Sequence, residues 1–353
     1  MTGMHIKLRV AAMLLGLPWV AAAGWAQLEP SPDAAPVSNA PAPPPQKPVA
    51  TFKMNVSLVD LFFTVKNKHG ELMPHLAEND CSVSENGVPQ KLKSFAAETD
   101  LPLTLGVLLD TSGSQVDVLP LEQQAGSQFL RQVLRPKDEA FLLSFDVNVN
   151  LLQDYTNDAQ ELAQAMNKAQ INDAGGGGSA GIPGLGQGPV PVYGTPKGTL
   201  LYDAIYQAAY DKMSEQGGRK AMIILTDGED EGSDHTLQQA VNAALKNNVM
   251  IYVILIADPH FYGGFGLGYT GYSAAKKLSD ETGGQMIDVG NNGPKLRAAF
   301  AEIEDELRTE YLATYTSTDA KMDGTFRSIA VNCGKGTHVQ VKKGYYALPS
   351  PLQ

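Results

Sequence analysis

The chain has 353 residues, of which 43% are hydrophobic and 18% are charged, and its formal net charge is −11. A chain of this length and apolar content can fill one large hydrophobic core, or a medium core together with a small one. Because an acidic chain without runs of Lys and Arg is repelled by phosphate backbones, nucleic acid is not expected among its partners.

Residues 1–26 have the features of a signal peptide for export. Lys7 and Arg9 flank the start of an apolar stretch over 10–24 that is short for a membrane span, and small residues suit cleavage after Ala23 or Ala26. An uncleaved membrane anchor is the alternative. Since no later segment is long and apolar enough to cross a bilayer, we expect a secreted or periplasmic protein with no membrane span after signal cleavage.

A Pro/Ala-rich linker over 27–50 follows, and its eight prolines predict an extended spacer. Both ends of the remaining chain have β patterns. Residues 51–99 are rich in Val, Leu and Phe and contain Asn86-Gly87, a strong signal for a two-residue hairpin. Residues 311–350 alternate apolar and polar side chains on both sides of the turn 334–336. Neither segment is long enough to fold alone, so we expect them to pack together as one small β-sandwich-like domain.

The two cysteines, Cys81 and Cys333, lie in these two β segments. Each shares a strand face with apolar residues and should point into a β core. In an oxidising compartment such a pair could form a disulfide, with two buried free thiols as the alternative.

Residues 100–310 have a different sequence pattern, in which short apolar strands alternate with segments of helical periodicity. The strands are "LTLGVLLD", "EAFLLSFD", "AMIILTDG", "VMIYVILIA" and "QMIDV". Continuous apolar strands of this kind are buried on both faces, as in a parallel sheet flanked by helices. The sequence therefore predicts an α/β domain with a doubly wound, mostly parallel sheet.

Two long loops interrupt this domain. The loop over 172–198 is rich in glycine and proline, but it lacks the GxxxxGK[ST] pattern, so no nucleotide is expected there. The loop over 259–272 carries Phe261, Phe265, Tyr269 and Tyr272. It could bind a partner, or it could be a surface loop with its aromatic rings packed down, and the sequence leaves both alternatives open.

The chemistry of the α/β domain is expected where its strands end. Asp110 and Asp227 each close an apolar strand, and ligands of open parallel sheets bind beyond these carboxyl ends. Two neighbouring carboxylates repel each other unless a cation lies between them. Ser112 and Ser114 lie two residues apart in the following turn, and such hard oxygen ligands select Mg²⁺, Mn²⁺ or Ca²⁺. The sequence therefore predicts a divalent cation site, with Mg²⁺ preferred.

The pattern Asp110-x-Ser112-x-Ser114, followed by Thr199 before a helix and by Asp227-Gly after a strand, resembles the metal-ion-dependent adhesion site of von Willebrand factor type A (VWA) domains. The resemblance covers residues 100 to 315. It implies a Rossmann-like fold in which Ser112, Ser114 and Thr199 contact the metal, while both aspartates act mostly through water. The glycine-rich insert before Thr199 departs from the compact family pattern. The flanking β segments resemble an exported bacterial group of VWA-related proteins, of the kind typical of Acidobacteria.

Other candidate sites have weak support. The acidic stretch 227–234 lacks the spacing of a calcium loop, the histidines are scattered without ligand spacing, and no serine has an obvious histidine partner. We therefore predict a binding protein and not an enzyme. Its metal would bind an acidic or oxygen-donor group, such as a carboxylate, on a partner protein. The alternatives are a metal-bearing accessory subunit of a larger enzyme assembly and a structural domain with no ligand.

Overall fold

The computed structural model describes residues 58–97, 101–172, 198–257 and 269–349. The predicted signal peptide, the predicted linker, nearly all of the glycine-rich loop, and Phe261 and Phe265 lie outside the described residues. Within them, no helix combines the length and the apolar character needed to cross a membrane.

The centre of the molecule is a six-stranded sheet in the order β10-β9-β8-β5-β6-β7. Every neighbouring pair is parallel except β6 and β7, which are antiparallel. The prediction of a doubly wound, mostly parallel sheet is therefore confirmed. The strands are β5 (Leu103–Asp110), β6 (Glu139–Phe145), β7 (Val149–Thr156), β8 (Arg219–Thr226), β9 (Val249–Leu255) and β10 (Met286–Asp288).

Helices cover both faces of this sheet, because each central strand has apolar side chains on both sides. One core contains Val107 and Ile223 together with residues of α1, α2 and α6, and the other contains Leu108 and Ile224 together with residues of α3, α4 and α5. The helices are α1 (Leu119–Val133), α2 (Ala159–Asn167), α3 (Leu201–Gln207), α4 (Leu237–Lys246), α5 (Gly271–Thr282) and α6 (Gly293–Arg308). A π-helical turn over Ala208–Lys212 continues α3.

The β segments from the two ends of the chain form a sandwich of two four-stranded sheets. The first sheet has the order β13-β1-β11-β4 and the second has the order β14-β12-β2-β3. Their shared core includes Leu61, Phe63, Val83, Tyr311 and Ile329. The strands are β1 (Leu58–Lys66), β2 (Ser82–Glu85), β3 (Val88–Gln90), β4 (Leu92–Ala97), β11 (Tyr311–Thr316), β12 (Phe326–Asn332), β13 (His338–Val341) and β14 (Gly344–Tyr346).

The two turns that the sequence marks have different structures. Asn86 and Gly87 adopt φ angles of 49° and 78°, and Glu85 pairs with Val88, as expected for a two-residue hairpin. The strands on either side of the turn 334–336, in contrast, belong to different sheets. That turn therefore carries the chain from one layer of the sandwich to the other, although its alternating flanks look like those of a hairpin.

The α/β domain is inserted between two neighbouring strands of the sandwich. The chain leaves the sandwich after β4 and returns to it at β11, and these strands pair with Tyr311 opposite Ala97. A disulfide joins Cys81, just before β2, to Cys333, just after β12. This bond closes a loop that contains the whole α/β domain.

Candidate metal centre

The predicted aspartates lie where the order of the strands in the central sheet reverses. Strands β5 and β8 are adjacent, and their pairing runs to Leu109 opposite Leu225. Strands β6 and β9 follow on opposite sides, so the order of the strands reverses at β5 and β8. Asp110 is the last residue of β5 and Asp227 follows β8 directly. Both therefore stand at the topological switch point, where open α/β sheets bind their ligands.

A chain of hydrogen bonds links four of the five predicted site residues. Ser112 Oγ lies 3.0 Å from Ser114 Oγ, and Ser114 Oγ donates to Asp227 Oδ2 at 2.5 Å. The backbone N–H of Ser112 donates to Asp110 Oδ1 at 3.0 Å. The turn after β5 thus brings two hydroxyls together between two carboxylates.

The loop after β8 is held by a second set of contacts. Thr226 Oγ1 donates to Asp110 Oδ2 at 2.6 Å and accepts the backbone N–H of Gly228 at 3.0 Å. The backbone N–H of Glu229 donates to Asp227 Oδ1 at 3.0 Å. These bonds tie the two aspartate loops to each other, so the carboxylates are fixed before any ligand arrives.

Thr199, the fifth predicted residue, is placed by its backbone neighbours. The N–H of Leu200 donates to the carbonyl of Asp146 at 2.9 Å, and the side chain of Asp146 accepts a hydrogen bond from Thr111 at 2.8 Å. On its other side, the carbonyl of Thr199 accepts the N–H of Glu231 at 2.8 Å. The Thr199 segment therefore lies between the loop that follows Asp110 and the loop that follows Asp227.

Burial makes the negative charges of the two aspartates unfavourable unless a positive charge is nearby. Asp110 is 0% exposed and Asp227 is 2% exposed. Burial, and after it the negative charge of Asp227, raises the pKa of Asp110 from its ordinary 3.8 to about 7, although hydrogen bonds from Ser112 and Thr226 oppose the rise. Without a cation, ionising Asp110 is therefore costly, and a divalent cation would remove this cost.

The sequence analysis missed two polar residues behind the site, Gln115 and Glu122. The side-chain amide of Gln115 donates to Ser114 Oγ and to Asp227 Oδ2, at 3.2 Å each. Glu122 lies in the first turn of α1 and is 0% exposed. A signal was present in the sequence, because Glu122 falls in the apolar stripe of α1 with Leu119, Ala125 and Phe129.

The residues present fit a hard divalent cation. Two hydroxyls and two buried carboxyl groups lie in one chain of hydrogen bonds at the end of the sheet, and such hard oxygen donors suit Mg²⁺, Mn²⁺ or Ca²⁺. The described residues contain no cluster of three or more His, Cys, Asp and Glu arranged as direct metal ligands.

The acidic stretch after β8 has a structural role. Both oxygens of Glu229 accept hydrogen bonds from Thr270, and one of them also accepts the N–H of Gly271, so Glu229 holds the start of α5. Tyr269 Oη donates to the carbonyl of Asp227 at 2.6 Å, whereas Tyr272 is exposed. Of the two described aromatics from the predicted loop, one therefore packs against the candidate centre and the other faces solvent.

Comparison with known proteins gives similarity to solved structures only. No family model and no curated protein matches the chain. The structure of BatB from Bacteroides thetaiotaomicron is 17% identical over 58% of this chain and 98% of its own, with a TM-score of 0.42. An aerotolerance-related membrane protein from Bacteroides fragilis is also 17% identical over 58% of this chain and 98% of its own, with a TM-score of 0.40. Proximal thread matrix protein 1 from the mussel byssus, solved with a zinc-occupied MIDAS motif, is 14% identical over 64% of this chain and 50% of its own, with a TM-score of 0.45.

These similarities are too low to carry functional information from those proteins. The interpretation of the centre rests on the strand order and on the contacts of this chain's own residues.

Proposed function

We propose that this chain is an exported protein-binding module that depends on a divalent cation. The cation would be held by Asp110, Ser112, Ser114, Thr199 and Asp227 and would present an open coordination position to an acidic group of a partner protein. The observation that carries the proposal is the contact chain from Ser112 through Ser114 to Asp227, which places two hydroxyls beside two buried carboxylates at the switch point of the sheet.

The charge distribution supports an anionic partner group. Neutral hydroxyl ligands do not cancel the positive charge of a cation. Such a cation attracts an incoming carboxylate more strongly than a cation whose charge is already neutralised by direct aspartate ligands. Mg²⁺ suits the site best, because it retains several waters and needs only one or two carboxylates from the protein. Mn²⁺ and Ca²⁺ are the other candidates.

The contacts of the two serines support binding over catalysis. Ser112 and Ser114 contact each other, and Ser114 is bonded to Asp227 and to Gln115. A serine nucleophile needs a base that removes its proton, and we propose that Asp227 instead helps to hold the cation, with the two hydroxyls as its ligands. We therefore propose no enzymatic activity. The signal-peptide pattern of residues 1–26 is the basis for proposing a secreted or periplasmic location.

The first experiment tests the cation. Adding Mg²⁺ should raise the melting temperature of the purified protein, because a ligand that binds only the folded state stabilises it by mass action. Asp227→Ala should abolish this rise. Asp288→Ala, which removes an exposed carboxylate at the end of the edge strand β10, is the control and should retain it. An equal rise in the Asp227 variant would remove this site from consideration.

The second experiment tests partner recognition. A pull-down from native extracellular fractions, eluted with a chelator, supplies the partner. Calorimetric titration of that partner should then show tight binding in Mg²⁺, weaker binding in EDTA, and weaker binding to Thr199→Ala in Mg²⁺. Equal affinities in all these conditions would show that the cation centre is not the recognition surface.

A further inference from the structure

Glu122 is a buried carboxyl group close in sequence to the predicted site residues. It is 0% exposed, and among the described residues neither of its carboxyl oxygens has a hydrogen-bond partner. Gln115 Oε1 is likewise buried and has no partner there. Three acceptor oxygens of neighbouring elements therefore lack donors in the same part of the interior.

Backbone contacts hold Glu122 and Gln115 close together in the chain that follows the serines of the candidate centre. The N–H of Val118 donates to the carbonyl of Gln115 at 3.1 Å, and the N–H of Glu122 donates to the carbonyl of Val118 at 3.0 Å. Glu122 is thus one helical turn beyond Val118, which is itself bonded to Gln115, the residue whose side chain contacts Ser114 and Asp227. Burial and the charges of Asp110 and Asp227 raise the pKa of Glu122 well above its ordinary value.

Such an arrangement is unfavourable unless donors or positive charge are supplied. A buried acceptor without a hydrogen bond destabilises the folded protein, and it does so more strongly if it is charged. A hydrated divalent cation supplies both requirements, because its bound waters donate strongly and its charge offsets the carboxylates. Carboxylates that bind the waters of a metal, rather than the metal itself, commonly determine its affinity.

We propose that Glu122 is a third carboxylate of the cation centre, which accepts hydrogen bonds from the cation's bound waters together with Gln115 Oε1. This inference rests on the proposed function, since it requires that a cation binds. It also indicates which divalent cation the centre prefers. A centre that holds its cation through waters favours Mg²⁺, which keeps its water, over Ca²⁺, which prefers more direct protein oxygens.

The test compares Mg²⁺ and Ca²⁺ affinities by calorimetry for the wild-type protein and Glu122→Gln. The Gln variant keeps the shape of the side chain and removes its charge. We expect Mg²⁺ affinity to fall about 10- to 100-fold, the range found for groups behind metal ligands, and Ca²⁺ affinity to fall less. Asp117→Asn, which removes an exposed charge five residues earlier, should change neither affinity by more than about twofold, because solvent screens that charge.

Melting temperatures measured in EDTA separate this role from a purely structural one. If Glu122 serves the cation, Glu122→Gln should melt at the same or a higher temperature than the wild type without metal, because the amide cannot carry the negative charge that is unfavourable there without a cation. A lower melting temperature together with an unchanged Mg²⁺ affinity would overturn the inference. If Glu122→Gln fails to fold, Glu122→Asp keeps the charge but withdraws the carboxylate by one methylene, and it must also weaken Mg²⁺ binding.

The two proposals fail in different ways. Normal Mg²⁺ binding by the wild type, with the same affinity in Glu122→Gln, would overturn the role of Glu122 and leave the cation centre intact. No Mg²⁺ or Ca²⁺ binding by the wild type would overturn the centre itself and this inference with it.

Discussion

Neutralising Asp110 should stabilise the metal-free protein while removing its response to metal. The pKa of this carboxyl group is raised from 3.8 to about 7, first by burial and then by the charge of Asp227. Each tenfold change in proton affinity corresponds to ~1.4 kcal/mol, so the ionised side chain lowers the free energy of unfolding by ~4 kcal/mol above pH 7. Asp110→Asn removes this cost.

Part of the gain will be offset by the new amide group. Asp110 accepts hydrogen bonds from Thr226 Oγ1 and from the N–H of Ser112, and the Asn carbonyl can keep only one of these partners fully. Burying an amide N–H without a good acceptor costs about 1–3 kcal/mol. We therefore expect a net stabilisation of about 1–3 kcal/mol at pH 8 in EDTA.

Asp138 provides the matched control. It is as buried as Asp227, but it accepts hydrogen bonds from the N–H of Leu103 at 2.9 Å and from the N–H and Nε of Arg135 at 3.1 and 2.9 Å. Its charge is paired, so Asp138→Asn should destabilise the protein by about 1–3 kcal/mol under the same conditions. These two buried Asp→Asn substitutions are thus predicted to change the free energy of unfolding in opposite directions.

The assay is urea unfolding in EDTA across a range of pH. A raised pKa in the folded state means that the stability of the metal-free wild type falls as pH rises from about 4 to about 7. The advantage of Asp110→Asn should therefore be absent below about pH 4 and complete above about pH 7. Saturating Mg²⁺ should stabilise the wild type and leave the variant unchanged. A variant less stable than the wild type at pH 8 in EDTA would refute the electrostatic argument.

Three further predictions concern the rest of the molecule. Because Cys81 and Cys333 are 252 residues apart, replacing both with Ser should lower the free energy of unfolding by up to ~5 kcal/mol, as measured in urea against the oxidised wild type; the reduced wild type should lose a similar amount. Burial lowers the pKa of Lys342 to about 8. The wild type should therefore gain stability relative to Lys342→Met as pH rises from about 8 to 10.5, and a difference in unfolding free energy that stays constant over this range would contradict the prediction. A Cβ at Gly228 (φ 83°) would lie 2.5 Å from a backbone oxygen, whereas at Gly290 (φ 54°) the nearest atom is 4.0 Å away. Gly228→Ala should therefore cost more thermal stability than Gly290→Ala and should also weaken Mg²⁺ binding.

The sequence was most informative where one local pattern determines the structure. The apolar runs ending at Asp110 and before Asp227 are buried on both faces, which only a covered parallel sheet provides, and their polar ends marked the edge where a site could form. The pair Asn86-Gly87 specifies a tight hairpin because both residues tolerate a positive φ.

Features that depend on distant packing were not predictable in the same way. The turn 334–336 has alternating flanks, and nothing local distinguishes a hairpin from a crossing between two sheets; the separation depends on β13 pairing with β1 and β12 pairing with β2. Glu122 was missed because a glutamate in the first turn of a helix is usually a solvent-exposed, favourable residue there, although its place in the apolar stripe of α1 was a signal of burial. Its burial follows from how α1 packs over the sheet.

The disulfide also determines how the molecule would respond to mechanical tension. The α/β domain, from β5 to α6, lies entirely between Cys81 and Cys333, and a force applied at positions outside this interval passes directly across the sulfur bridge. Stretching the chain by its two flanks could therefore pull β1, β13 and β14 away from the sandwich, but it could not extend the domain that carries the cation centre. Cutting the bridge would transfer the load to the inserted domain, so a reductant would change what unfolds first under tension without altering a single contact at the centre.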